Sequence, residues 1–168
     1  TVLGEVYRFD LATRRFSLFY KYPIELAIYG IVRDAGGNLW VGTSKAGYAL
    51  TCFTPSGERK TEFTGPEGEK LHFSSVRCME EESPGVLLIG MRSAGLYRFN
   101  THTGELTVFR TSRPEQEMQI PSNYISSILS TRSGDVWVST YGGGIFQLDK
   151  RGGVLRRVTE KEGLMGGD

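Results

Sequence analysis

Three segments of this 168-residue chain are copies of one another, and a repeat constrains a fold more tightly than composition does. The first reads IYGIVRDAGGNLWVGTSKAGYALTCFTPSGERKTEF (28–63). The second reads FSSVRCMEEESPGVLLIGMRSAGLYRFNTHTGELTVF (73–109), and the third YISSILSTRSGDVWVSTYGGGIFQLDKRGGVLRRV (124–158). Gly47, Gly95 and Gly144 fall at matching places, 48 and 49 residues apart, and Trp40, Leu88 and Trp137 keep the same spacing. A partial copy opens the chain. GEVYRFDLATRRFSLF (4–19) matches only the second half of a unit, its VYRFD answering LYRFN at 96–100.

Each unit holds four short runs separated by turns. In the third, YISSILS ends in a Gly-Asp turn, VWVST follows, then IFQLD after a glycine loop, then VLRRV after Gly-Gly. Gly-Asp and Gly-Asn between alternating runs are hairpin signals. Turn residues break every periodic stretch before a long helix can form; a short helical turn is expected only in Ser112–Gln119. Four antiparallel strands recurring at about 48 residues is the arithmetic of a propeller blade. A β-sandwich explains the strands but not the repeat. The chain is therefore read as all-β: a partial β-propeller of about three and a half four-stranded antiparallel blades. The divisions are 1–22 (outer half of a blade), 23–64, 65–111 and 112–160 (blades) and 161–168 (lead into a next blade). Innermost strands crowd near an axis, and Gly30, Ser75 and Ser127 are taken as their small residues. Trp40 and Trp137, on second strands, are expected to fill the gaps between blades.

Composition agrees with this and excludes several functions. Hydrophobic residues at 39% and aromatics at 11% suffice for a core. The 22 glycines, without a collagen period, suit tight turns. The net charge of +1 argues against a nucleic-acid or anionic-membrane binder. The longest apolar run, Val86–Met91, is far short of the roughly 20 residues of a membrane helix, and no basic-then-apolar leader is visible. Cys52 and Cys78 form no C-x-x-C pair and are read as core residues, their redox state left open.

The motifs VRDAGGNLWVGTSKAG, IGMRSAGLYRFNTHTGELTVF and STRSGDVWVSTYGGGIFQLD together resemble the two-component regulator propeller repeat, over essentially all of residues 4–158. Departures are Leu88 in place of Trp, an acidic turn at Glu80–Glu82, Ser139 in place of Gly, and a third strand, YALTCF, longer by about two residues. The resemblance implies the periplasmic, extracytoplasmic sensor part of an inner-membrane hybrid histidine kinase of the kind found in gut Bacteroidetes and often tuned to glycans. There, two seven-bladed propellers and a Y-Y-Y immunoglobulin-like domain precede a membrane helix and the kinase. No phosphoacceptor-histidine box or ATP-binding glycine motif occurs in this segment, so no kinase activity is expected of it.

Closed propellers have 4–8 blades, so this chain reads as an excerpt of a ring. A blade face of four five-residue strands covers on the order of 300 Å². At about 25 cal/mol per Å² an uncovered face forgoes roughly 7 kcal/mol, comparable with a whole domain's stability. The expected partners are the remaining blades of the parent chain, or a second copy through the same faces.

The catalytic inventory is thin. His72 and His102 are the only histidines, which excludes a three-histidine metal site and H-E-x-x-H. There is no G-x-S-x-G elbow or phosphate loop, and Gly142–Gly144 joins two strands, without a helix N-terminus to bind an anion. Glu80–Glu82 is read as a solvated turn on the bottom face, and His102 as part of an outer hairpin. Arg14–Arg15 and Arg156–Arg157 fall on outer strands, where charge discourages unwanted pairing. No metal, cofactor or catalytic residue is assigned. A ligand site, if present, belongs at the channel mouth, where loops into the inner strands meet loops between second and third strands. Its candidates are Tyr29, Ser44, Lys45, His72, Arg92, Ser93, Tyr124 and Tyr141, with His72 beginning an inner strand. Aromatic faces with Arg and Lys donors suit an oligosaccharide, particularly an acidic one. Two alternatives remain open at this point: a propeller enzyme of lyase or glycosidase type, and a scaffold that binds only proteins.

Overall fold

Every strand pairs with its neighbour in sequence, so each run-and-turn unit of the repeat becomes one antiparallel meander. The computed structural model describes residues 2–111, 120–131, 133–149 and 153–164. A two-stranded hairpin opens the chain: β1 (Glu5–Asp10) and β2 (Arg15–Lys21). Three four-stranded sheets follow. The first holds β3 (Ile28–Arg33), β4 (Leu39–Thr43), β5 (Leu50–Phe53) and β6 (Arg59–Lys60). The second holds β7 (Val76–Ser83), β8 (Val86–Met91), β9 (Leu96–Asn100) and β10 (Leu106–Phe109). The third holds β11 (Ile125–Ser130), β12 (Val136–Thr140), β13 (Gly144–Leu148) and β14 (Val154–Val158). The first strands of adjacent sheets touch, β3 against β7 and β7 against β11, as strands converging on an axis do. The chain is all-β, a partial β-propeller of three blades and the outer half of another. A one-turn 3-10 helix, Glu160–Glu162, closes the described part, capped by Thr159 at its start and Gly163 at its end. The helical turn expected in 112–119 lies outside the described residues.

The core is three inter-sheet layers, and strand alternation assigns each side chain to one of them. Trp40, Cys52, Val76, Met79, Leu87, Ile89 and Phe99 fill the layer between the first and second sheets. Leu88, Leu96, Phe109, Ile125, Val138 and Phe146 fill the one between the second and third. Val6, Tyr22, Leu26, Val41 and Phe53 seal the hairpin to the first sheet. Because β8 is covered on both faces, it reads as a continuous apolar run. The expected role of the tryptophan position holds for Trp40, which meets Phe63 and Phe99, and Leu88 serves it in the second sheet. Trp137 is half-buried, because no further sheet covers its face among the described residues. The opposite outer face, on the hairpin, exposes Tyr7, Phe9, Phe16 and Leu18, with Phe9 and Phe16 in ring contact.

Glycine on the second strand has a packing cause. A Cβ on Gly42 would stand 2.4 Å from Val76 Cγ1, and one on Gly90 would stand 2.6 Å from Ile125 Cγ2. In both cases the first residue of the next inner strand occupies the space a side chain would need. The matching Ser139 instead has its hydroxyl 2.8 Å from that of Ser126.

Four sequence expectations are corrected by register. Gly30 pairs with Gly42, Cys78 with Gly90 and Ser127 with Ser139, so Cys78, and not Ser75, is the equivalent of Gly30. Leu50, Leu96 and Ile145 are equivalent by pairing, which aligns Ala49, not Gly47, with Gly95 and Gly144. The two extra residues of the first unit therefore sit in the loop 44–49, and β5 is not lengthened. Finally, Glu80–Glu82 is strand, not a solvated turn: the turn is made by Pro84 and Gly85. Each of the three acids has a partner outside its own strand. Glu81 accepts from the Ala35 and Gly85 amides, Glu82 pairs with Arg98 at 2.6 Å, and Glu80 accepts from the Ser130 backbone.

Candidate functional site

Each inner strand carries an irregularity at its second residue. Register breaks between Ile28 and Gly30, between Val76 and Cys78, and between Ile125 and Ser127. One residue is thereby left without a cross-strand partner, as in a β-bulge, and such bulges re-aim a side chain. The residues concerned are Tyr29, Arg77 and Ser126. The loops between second and third strands are latched to the same end. Ser44, Arg92 and Tyr141 donate their amides to the carbonyls of Ala27, Ser75 and Tyr124, each at 2.9 Å.

At this end the Arg77 guanidinium lies 4.2 Å from the Tyr29 ring centroid and 5.5 Å from that of Tyr124. The Tyr124 and Tyr141 rings follow at 5.4 Å. Tyr29, Arg77, Tyr124 and Tyr141 thus form one ladder across three sheets. Tyr29 is 45% exposed and Tyr141 74%, while Arg77 is half-buried. Among the described residues the Arg77 side chain has no hydrogen bond and no ion pair. Its face is stacked on rings, and its in-plane N–H groups remain available.

Of the sequence candidates, Tyr29, Tyr124 and Tyr141 are brought together. Ser44 is a loop latch, its hydroxyl accepting the Ala27 amide at 3.2 Å. Lys45, Arg92 and Ser93 are exposed on the same set of loops, without a described contact to the ladder. His72 is corrected. It lies four residues before β7, exposed in the segment joining the first two sheets, and lines a crevice with Gly47, Lys70 and Phe73. The inner strand begins only at Val76, and before it Leu71 is tied back by its amide to the Phe63 carbonyl at 2.8 Å. Arg77 was not among the sequence candidates. Its signal was available: it stands 48 residues after Tyr29 and 49 before Ser126, on the repeat's own period.

The remaining polar features hold the scaffold. Asp34 is buried in the turn after β3. It accepts from the Trp40 indole at 2.7 Å and from the Asn38 amide and side chain at 2.8 Å. Burial alone would raise its carboxyl, but those donors outweigh it and hold the group below the ordinary aspartate value. Burial raises Glu80. Burial also pushes the Cys52 thiol up to about 11 and the Cys78 thiol up to about 12. A hollow of about 740 Å³ beside the third sheet is lined by Tyr141, Gly142–Gly144 and Thr159–Lys161. It shares only Tyr141 with the ladder and is walled mainly by glycine backbone and the capped turn. Gly142 and Gly144 have φ of +75° and +77°, which accounts for that glycine run as turn geometry. Among the described residues no group of three His, Cys, Asp or Glu side chains could hold a metal.

The fold and this face define a propeller segment with an aromatic and cationic mouth. Residues 23–45 and 119–142 match the family model of the two component regulator propeller. Solved structures share the fold. The extracellular domain of a hybrid two-component system from B. thetaiotaomicron is 22% identical with a TM-score of 0.65, over 80% of this chain and 18% of that one. PorZ, a surface component of the type-IX secretion system of Porphyromonas gingivalis, is 16% identical with a TM-score of 0.70, over 95% and 25%. A streptogramin B lyase is 15% identical with a TM-score of 0.65, over 90% and 47%. The chain therefore spans less than half of each of these proteins. None of the curated proteins matches it significantly.

Proposed function

We propose that this chain is a non-catalytic ligand-recognition segment in the extracytoplasmic part of a two-component sensor, and that its signal is a glycan. The match of its repeats to the two component regulator propeller carries this reading. The parent is a histidine kinase held in the inner membrane, with the remaining blades of the ring, or a second copy, covering the outer faces at Phe9–Phe16 and Trp137. Exposed tyrosines beside an arginine at the mouth support oligosaccharide binding, since ring faces pack on the apolar side of a sugar while the guanidinium bonds its oxygens. A propeller lyase would need converging acid–base groups or a metal. His72 stands apart from the ladder, and Glu80 is turned to the third sheet.

Sequencing the parent gene on both sides of this segment tests the proposal. Further repeats, one membrane span and a histidine kinase uphold it, and a screen of neutral and acidic oligosaccharides on the ectodomain then identifies the signal. A completed ring behind a secretion signal, with no kinase, overturns the signalling role.

A further inference from the structure

We infer that the Tyr29–Arg77–Tyr124–Tyr141 ladder is a subsite for a uronate, with the sugar's carboxylate held by Arg77. The inference rests on the glycan-recognition reading and makes its ligand anionic. The observations that carry it begin with Arg77. Arg77 is half-buried and has no acceptor among the described residues, although a guanidinium carries five donors in a fixed fork. The stack on Tyr29 at 4.2 Å and near Tyr124 at 5.5 Å occupies the guanidinium faces and leaves its edge free. A planar edge-on acceptor such as a carboxylate fits that edge with two parallel bonds.

The acids of the same strand do not compete. Glu81 is bonded to backbone amides, Glu82 to Arg98 and Glu80 to the Ser130 backbone, all toward the far end of β7. Lys45 and Arg92 are exposed on the neighbouring loops and add positive potential at the mouth. Tyr141, 74% exposed beside Tyr124, offers the open ring face on which the rest of the sugar lies. All four ladder residues stand at or beside strand ends latched by backbone hydrogen bonds, so the subsite is preformed and loses little entropy on binding.

The test is calorimetric titration of the intact chain with trigalacturonate and a hyaluronan tetrasaccharide, with the methyl ester of each, and with neutral maltotriose. Binding of at least one acid is expected, with its ester about 10- to 100-fold weaker, the range for losing a charge-assisted bidentate contact. Arg77→Met, which keeps length and stacking, should bind acid and ester equally. Arg77→Lys should recover only a small part of the preference. Tyr141→Ala, at an exposed site, should weaken acid and ester by the same factor. The comparison of acid with ester on the unaltered protein stands even if Arg77→Met unfolds. Equal binding of acid, ester and maltotriose overturns the uronate subsite and leaves glycan recognition standing. Binding of neither acid overturns the subsite, and the oligosaccharide screen then decides the wider reading separately.

Discussion

Gly90→Ala separates packing between blades from simple strand propensity, because the two predict opposite signs. Gly90 is the penultimate residue of β8, paired on both sides, with φ outside the left-handed region, and glycine within a strand is about 0.5–1 kcal/mol less stable than alanine. On local grounds alone the substitution should stabilise the protein. The structure says otherwise. The new methyl would stand 2.5 Å from Cys78 Sγ, 2.6 Å from Ile125 Cγ2 and 2.9 Å from Ile125 Cβ, where comfortable contacts are about 3.5–4.0 Å. Ile125 belongs to the inner strand of the next sheet, so relief requires the third blade to move away from the second. Overpacking of this kind costs about 1–3 kcal/mol. A net loss of about 2 kcal/mol lowers the thermal midpoint by about 4–8 °C for a chain of this size. Urea and thermal unfolding followed by tryptophan fluorescence measure it. Ile125→Ala is destabilising by itself, but combined with Gly90→Ala it should show a favourable coupling of at least about 0.5 kcal/mol. A Gly90→Ala midpoint equal to or above that of the parent would refute the argument that the glycine exists to admit Ile125.

Four further outcomes follow from Asp34, Glu80 and the two cysteines. Asp34→Ala strands the Trp40 indole N–H and frees the turn, and should cost about 2–4 kcal/mol in the same unfolding experiments. The folded-state Asp34 titrates below its ordinary value, so its contribution is present above about pH 4 and fades as pH falls through the folded value. The stability gap between the parent and Asp34→Asn should therefore narrow in acid, read from midpoints between pH 7 and pH 2. Glu80 has the opposite sign. Its value is raised by burial, so ionisation disfavours the fold at neutral pH, and Glu80→Gln should raise the midpoint at pH 7 while the difference vanishes below about pH 4. With Cys52 and Cys78 thiols held up at about 11 and about 12, iodoacetamide at pH 8 should label neither until urea unfolds the chain; rapid labelling of the folded protein would contradict their burial.

The outcome at particular residues shows how far the sequence reaches. The 48-residue period alone specified the sheets, because each hairpin is set by turn residues beside it and each apolar run by its own alternation. Trp40 could be placed between blades for that reason. The hairpin position of His102 was likewise local: its ring packs over the Gly85 backbone. Register was not legible to the residue. Two extra residues in the loop 44–49 offset Gly47 from Gly95 and Gly144 without altering the pattern of hydrophobic runs, whereas Cys78, the equivalent of Gly30, does lie on the 48-residue period and Ser75 does not. The acids Glu80–Glu82 looked like a turn because charge usually marks solvent. Their partners, the Ala35 amide, Arg98 and the Ser130 backbone, come from a turn of the first sheet and from strands β9 and β11.

The candidate site divides the same way. That tyrosines gather at the mouth was readable from topology, since loops at one end of successive blades share one face. That Arg77 joins them was decided by tertiary structure, because a bulge turns one side chain per inner strand and the neighbours it meets lie 48 and 47 residues away in the chain. Local sequence determines which segments pair, through short-range turns and period-two burial. Contacts between blades depend on how the sheets pack around their common axis, and only the folded arc brings one ring or one guanidinium onto the next.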